Sequence, residues 1–261
     1  MTEEERMKIS VAKVAGTLGL MAWGMTAHAG DLKLADVLND YYEAKGGLDV
    51  IKGINTMHAK GKMSMGPMEV PLEISAKRPG KVHVSFEVQG MKGIQAYDGE
   101  KGWAVMPFMG KPDPEEMADD QLKQIQEQAD MDGVLVDYEK KGHKVELVGT
   151  SEIEGTPVIE LKVTKKNGDV MEYFLDEEYK LEVMVRAQTE MMGQEMITES
   201  FTSGYQEIGD TVVPMQTTVK VNGNVAQSLT FETMEFNIDV DDALFTMPAK
   251  AEKPEAATAE K

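Results

Sequence analysis

Three histidines beyond residue 29, many acids, one arginine beside a proline and an excess of methionine are the residues here whose types invite chemistry. His58, His83 and His143 lie far apart, and none sits in an H-E-x-x-H or similar ligand spacing. The pattern therefore gives no metal centre, and it places each histidine as an exposed or half-exposed strand or loop residue. The chain has no G-x-S-x-G elbow, no P-loop and no G-x-G-x-x-G after a strand. With no Cys, it has no thiol nucleophile, thiolate ligand or disulfide. Acid pairs such as Asp119-Asp120 and Asp241-Asp242 occur among 46 acidic residues, where a solvated surface explains them better than a general acid and base. The chain reads as a non-enzyme that needs no cofactor. Its 21 Met residues include Met63, Met65, Met68, Met91, Met171, Met184, Met215 and Met234 on or beside strands. Unbranched, polarizable Met either lines a surface that repacks around apolar guests or replaces Leu in an ordinary core. Copper ligation by Met lacks the neighbouring Cys or His of a tight motif.

The elements that must carry these residues are mostly strands. Lys81 to Val88 alternates, with Val82, Val84, Phe86 and Val88 on one face and Lys81, His83, Ser85 and Glu87 on the other. Thr56 to Met65 and Met68 to Arg78 precede it, and Gly93 to Tyr97 and Lys101 to Met106 follow it. Pro107, with no N–H for a ladder, is expected to end the pairing. A second run of strands starts at Lys144, with hairpin signals at Asn167-Gly168 and Asn222-Gly223. Val212 to Val221 reads there as one strand. Two helices interrupt the pattern. Leu32 to Lys45 places Val37, Leu38, Tyr41 and Tyr42 at helical spacing behind an Asp31 cap and before Gly46-Gly47. Pro114 to Ala129 follows an Asp113 cap and is polar apart from Met117, Leu122 and Ile125. The Val134-Leu135-Val136 run beyond it needs an apolar site. About eleven antiparallel strands curl rather than stay flat. The expected fold is mainly β with helices (α+β): a strongly curved sheet forming a half-open β-barrel, its concave face covered by helices.

Lys77-Arg78-Pro79, then a strand, then Asp98-Gly99, Trp103 and Pro107-Phe108 together resemble the outer membrane lipoprotein-sorting proteins, the LolA/LolB-like lipoprotein carriers. Met106 stands where that family has Asn before Pro-Phe. The resemblance implies a half-barrel with an N-terminal helix across its mouth and lid helices at the insertion. It implies that Arg78 latches the lid by hydrogen bonds, for which a guanidinium fork is suited. Acyl chains of lipoproteins, or of another lipid, would be bound by Val84, Phe86, Trp103, Met106 and Phe108. The implied partners are an inner-membrane release complex and an outer-membrane acceptor, with only transient membrane contact. Two other functions are compatible with the sequence: a sensor that binds a regulatory protein through the same fold, and a hydrolase with a β-sheet site.

The first 29 residues read as a secretory signal peptide, with Lys8 and Lys13, an apolar run from Val11 to Trp23 and Ala27-His28-Ala29 as the cleavage site. Residues 30–248 are then one binding domain in the periplasm, and Ala249 to Lys261 an Ala/Glu/Lys/Pro tail expected to be disordered. The formal charge is −19, and Glu3, Glu4 and Glu5 cancel Arg6, Lys8 and Lys13, so the mature domain carries all of it. Such a surface repels nucleic acid and anionic lipid headgroups.

Overall fold

The computed structural model describes residues 32–191 and 194–249. The expected signal peptide, Asp31 and the expected tail beyond Ala249 lie outside these residues. Helices α1 (Leu34–Ala44) and α2 (Leu48–Gly53) come first, then β1 (Thr56–Met65), β2 (Met68–Lys77), β3 (Lys81–Val88), β4 (Met91–Tyr97), β5 (Gly102–Met106) and β6 (Lys111–Glu116). Helix α3 (Asp119–Gln128) precedes β7 (Lys144–Ile153), β8 (Thr156–Thr164), β9 (Val170–Asp176), β10 (Glu182–Met191) and β11 (Gln194–Ser203). Short strands β12 (Gln206–Ile208) and β13 (Thr211–Val213) lead to β14 (Gln216–Val221) and β15 (Asn224–Phe236).

Among the described residues, thirteen strands form one antiparallel sheet in the order β6-β5-β4-β3-β2-β1-β15-β14-β11-β10-β9-β8-β7, and β12 and β13 pair separately. The sheet is not closed: β6 and β7 are its edges. Three of the strands correct the sequence reading. Pro107 does not end the pairing, because the chain turns through a 3-10 helix at Pro107–Met109 and returns as β6. Asp113 and Pro114 belong to that edge strand rather than to a helix start. The register jumps from Ala104↔Glu115 to Met106↔Lys111, so Pro112 and Pro114 sit in the irregularity, where no ladder N–H is required. Pro214 likewise divides Val212 to Val221 between β13 and β14.

The chain has two compact units. One takes the described residues of Met1–Ile54, Lys62–Glu69 and Asp132–Glu232; the other takes those of Asn55–Gly61, Val70–Met131 and Thr233–Lys261. In the first, Val37, Leu38 and Tyr41 of α1 pack with Leu135, Val145, Ile159, Leu161, Val163, Tyr173 and Leu175. The Val134-Leu135-Val136 run thus finds the apolar site it needs, with Leu135 and Val136 buried. Polar ties hold α1 as well. Tyr41 Oη donates to Glu182 Oε1 at 2.6 Å, Lys45 Nζ lies 3.5 Å from the same oxygen, and Tyr205 Oη donates to Oε2 at 3.1 Å. Tyr42 Oη donates to the Leu135 carbonyl at 2.8 Å, and Thr211 Oγ1 to that of Lys45 at 2.9 Å. Burial alone would raise the Glu182 carboxyl. Lys45 and the hydrogen bonds from Tyr41, its own N–H and Tyr205 outweigh that and hold it below its ordinary 4.5. Burial, then the Glu182 charge, pushes Tyr41 well above its ordinary value, so it donates at all working pH.

Because the folded Glu182 carboxyl lies below 4.5, the stability it contributes is full above pH 4.5 and drains as pH falls through the folded value. Tyr41→Phe removes a donor to this charge and is expected to cost about 1.5–3 kcal/mol at neutral pH. Urea unfolding of both proteins at neutral and acid pH checks this. The gap between them should narrow in acid, and an equal gap at both pH values contradicts the assignment.

Candidate functional site

The second unit has a sheet face whose residues follow from registry. Ala76 pairs with Val82, Val82 with Tyr97 and Tyr97 with Gly102, forming a first row across β2 to β5. Ile74, Val84, Gln95 and Ala104 form the second row, and Leu72, Phe86 and Gly93 the third. Successive rows lie two residues apart along each strand, about 7 Å. Eleven positions on four strands thus present one face, and Gln95 is its one side chain ending in an amide.

Helix α3 lies on the first row. Ile125 and Ala129 pack with Ala76, Val82 and Tyr97, and Met57, Ile74, Val84, Met117, Leu122 and Met131 flank them. Gly102 permits the close approach: a Cβ there would lie 2.9 Å from both Leu122 Cδ1 and Met117 Sδ. Only Ile125 of the helix proper is buried. Gln126 Nε2 donates to Tyr97 Oη at 3.2 Å, and that hydroxyl donates to the Gly99 carbonyl at 2.7 Å. The third row ends in an aromatic pair, Phe86 and Phe108, with centroids 5.8 Å apart and planes at 61°. These rings stand over Gly93, where a Cβ would meet Phe86 Cε2 at 2.7 Å and Phe108 Cε1 at 2.9 Å. Between helix and rings the second row is left half-exposed at all four positions. The result is an apolar floor, covered at one end by α3 and bounded at the other by two phenyl rings.

Four of the five residues expected to contact lipid bear on this description. Val84 is in the floor, Phe86 and Phe108 form the end pair, and Met106, buried, continues the same face by alternation from Ala104. Trp103 does not join them. It pairs with Ala96, in line with His83 and Ser75 on the opposite face, and its Nε1 donates to the Phe245 carbonyl at 2.7 Å. On that face His58 Nδ1 lies 3.0 Å from Ser75 Oγ. His83 is buried rather than exposed, and desolvation, with Lys92 nearby, lowers its imidazole below its ordinary value. Among the described residues no His/Cys/Asp/Glu group could hold a metal ion. Arg78 follows β2, half-buried, its backbone N–H donating to the Asn55 carbonyl at 2.9 Å. The sequence reading missed Gly93 and Gly102, whose signal was glycine inside a strand, and Gln95, which carried none.

No family model and no curated protein sequence matches the chain. Solved structures do. A DUF1329 family protein from Desulfovibrio piger ATCC 29098 is similar at TM-score 0.59 and 12% identity, over 82% of this chain and 97% of that one. A putative outer membrane lipoprotein-sorting protein domain from Vibrio parahaemolyticus is similar at 0.56 and 10%, over 80% and 94%. A LolA superfamily protein from Nitrosomonas europaea is similar at 0.56 and 11%, over 83% and 98%. The chain therefore has a LolA-like fold.

A branched side chain at Gly102 is expected to lift α3 without disturbing the strands. Gly102→Val should cost about 1–3 kcal/mol. Hydrogen exchange should rise over residues 119–128, and unchanged protection there contradicts the contact.

Proposed function

We propose that this chain is a periplasmic carrier that binds the acyl chains of lipoproteins, or of another lipid, on the apolar floor between α3 and the Phe86–Phe108 pair. The observation that carries this reading is the half-exposed row of Ile74, Val84 and Ala104 beside a helix that buries little. An acyl chain gains about 0.8 kcal/mol for each CH₂ it buries. Lifting Ile125 and its partly buried neighbours costs about 1.5–3 kcal/mol for each side chain returned to water. On this scale about two to four methylenes offset each side chain returned, so an acyl chain of ordinary length offsets the cover, and reclosure of the cover over the empty floor favours release. Such a balance suits transfer rather than storage.

The LolA-like fold supports the reading. Arg78, two residues beyond Ala76 of the α3-facing row, is assigned the latch that biases the cover shut. Delivery would run from an inner-membrane release complex toward an outer-membrane acceptor.

Solvent extraction of the protein purified from its native compartment should yield bound lipid. A fluorescent fatty-acyl probe should raise Tm, by an amount equivalent to about 2.7 kcal/mol at a hundredfold excess over Kd. Val84→Asp, an unpaired carboxylate in the floor, should remove probe binding by more than tenfold with the fold retained. A lipid-free preparation that no acyl ligand stabilises overturns the proposal.

A further inference from the structure

Gln95 is the residue of the floor that hydrocarbon does not explain. It stands in the middle row, directly between Val84 on β3 and Ala104 on β5. It is half-buried, and its amide makes no hydrogen bond to any of the described residues. Among the described residues only solvent is left to it, and an apolar guest on the floor would strip that water away. An amide desolvated with no partner costs as much as several methylenes gain. A guest that is hydrocarbon throughout is therefore penalised at this row, and a guest with a polar group at the same level is not.

The chemistry of that group follows from what surrounds Gln95. No Lys or Arg stands in any of the three rows. A free carboxylate would lose its hydration beside a neutral amide with no cation to pair with it. An ester or amide carbonyl carries no net charge and accepts one hydrogen bond, which the Gln NH₂ supplies. An N-acyl amide also donates an N–H, which the Gln carbonyl accepts. We propose that Gln95 Nε2 donates to the carbonyl oxygen of the bound acyl group, so that the site selects neutral acyl esters and amides over free fatty acids and over alkanes. The selection rests on the acyl-binding function proposed above and names the ligand class of that same floor. It also sets depth: the carbonyl lies at the Gln95 row, with the hydrocarbon on the apolar residues to either side.

The test is competition against the fluorescent fatty-acyl probe by three ligands of one chain length at neutral pH: a methyl ester, the free acid and the alkane. The wild-type protein should prefer the ester to each of the others by about five- to tenfold, the worth of one neutral hydrogen bond. Gln95→Leu should abolish the ester's advantage over the alkane while leaving probe displacement by the alkane as strong or stronger. Gln95→Lys should invert the order in favour of the free acid. Both changes are at a half-exposed strand position, and circular dichroism confirms folding. An unchanged ester-to-alkane ratio in Gln95→Leu, with the alkane still displacing probe, overturns the role of Gln95 and leaves acyl binding standing. A wild-type preference for the free acid also overturns it. If no ligand and no probe binds the folded wild-type protein, acyl binding itself fails and the Gln95 assignment fails with it.

Discussion

The second unit depends on how closely α3 can approach the row of Ala76, Val82, Tyr97 and Gly102. At Gly102 the side chains of Leu122 in the helix and of Met117 just before it occupy the space a Cβ would need. Ile125 is the one residue of the helix proper to be buried there, and Ala129 follows it just past the helix end. The rest of the helix is polar, with Asp119 and Asp120 at its first turn, where the positive end of the dipole favours them. Its attachment is thus a hydrophobic contact of limited area with the Gln126–Tyr97 hydrogen bond beside it. It stays covered in water, yet a guest offering equivalent apolar surface can displace it.

Helix α1 in the first unit is held by a different balance. Three of its residues are buried, and a desolvated carboxylate at Glu182 takes hydrogen bonds from Tyr41 and Tyr205 with Lys45 close by. Removing one donor from such a set leaves a desolvated charge short of a partner, at a cost of about 1.5–3 kcal/mol. Each unit therefore carries a helix on its sheet, but the two attachments differ in kind. An ionic knot resists local opening, while an apolar contact tolerates exchange.

Much of this was legible in the residues. Alternation in Lys81 to Val88 located the face that holds Val84 and Phe86, and the sparse apolar positions Met117, Leu122 and Ile125 located the helix that covers it. The run Arg78-Pro79, Asp98-Gly99, Trp103 and Pro107-Phe108 pointed to the LolA-like fold that the solved structures share. Other features were hidden for physical reasons. Asp113 and Pro114 read as helix-start chemistry because nothing local reveals that a strand edge with a register jump lies there. Glu182 looks like any other acid, since its partners are 141 residues away at Tyr41 and 23 away at Tyr205. The placement of Trp103 depends on its cross-strand partner Ala96, and hydrophobicity alone put it with the wrong neighbours.

That placement decides which face is available. The side opposite α3 is crossed by the C-terminal run: Asn237 N–H donates to the Thr56 carbonyl, and Thr56 Oγ1 to that of Ile238 at 2.6 Å. Lys77 Nζ reaches the Val240 carbonyl at 3.0 Å and Asp242 at 3.1 Å, and Lys81 reaches Asp242 at 2.8 Å. Phe245 is fully buried beyond them, with the Trp103 indole bound to its carbonyl. A strap tied at this many backbone positions cannot yield to a single apolar guest, because each tie broken leaves a carbonyl or a charge to be resolvated. Among the described residues, the α3 face has no such ties across its middle row. Of the two sides of one four-stranded ladder, one is sealed by hydrogen bonds to the backbone and the other by a modest hydrophobic contact. An exchangeable ligand belongs on the second.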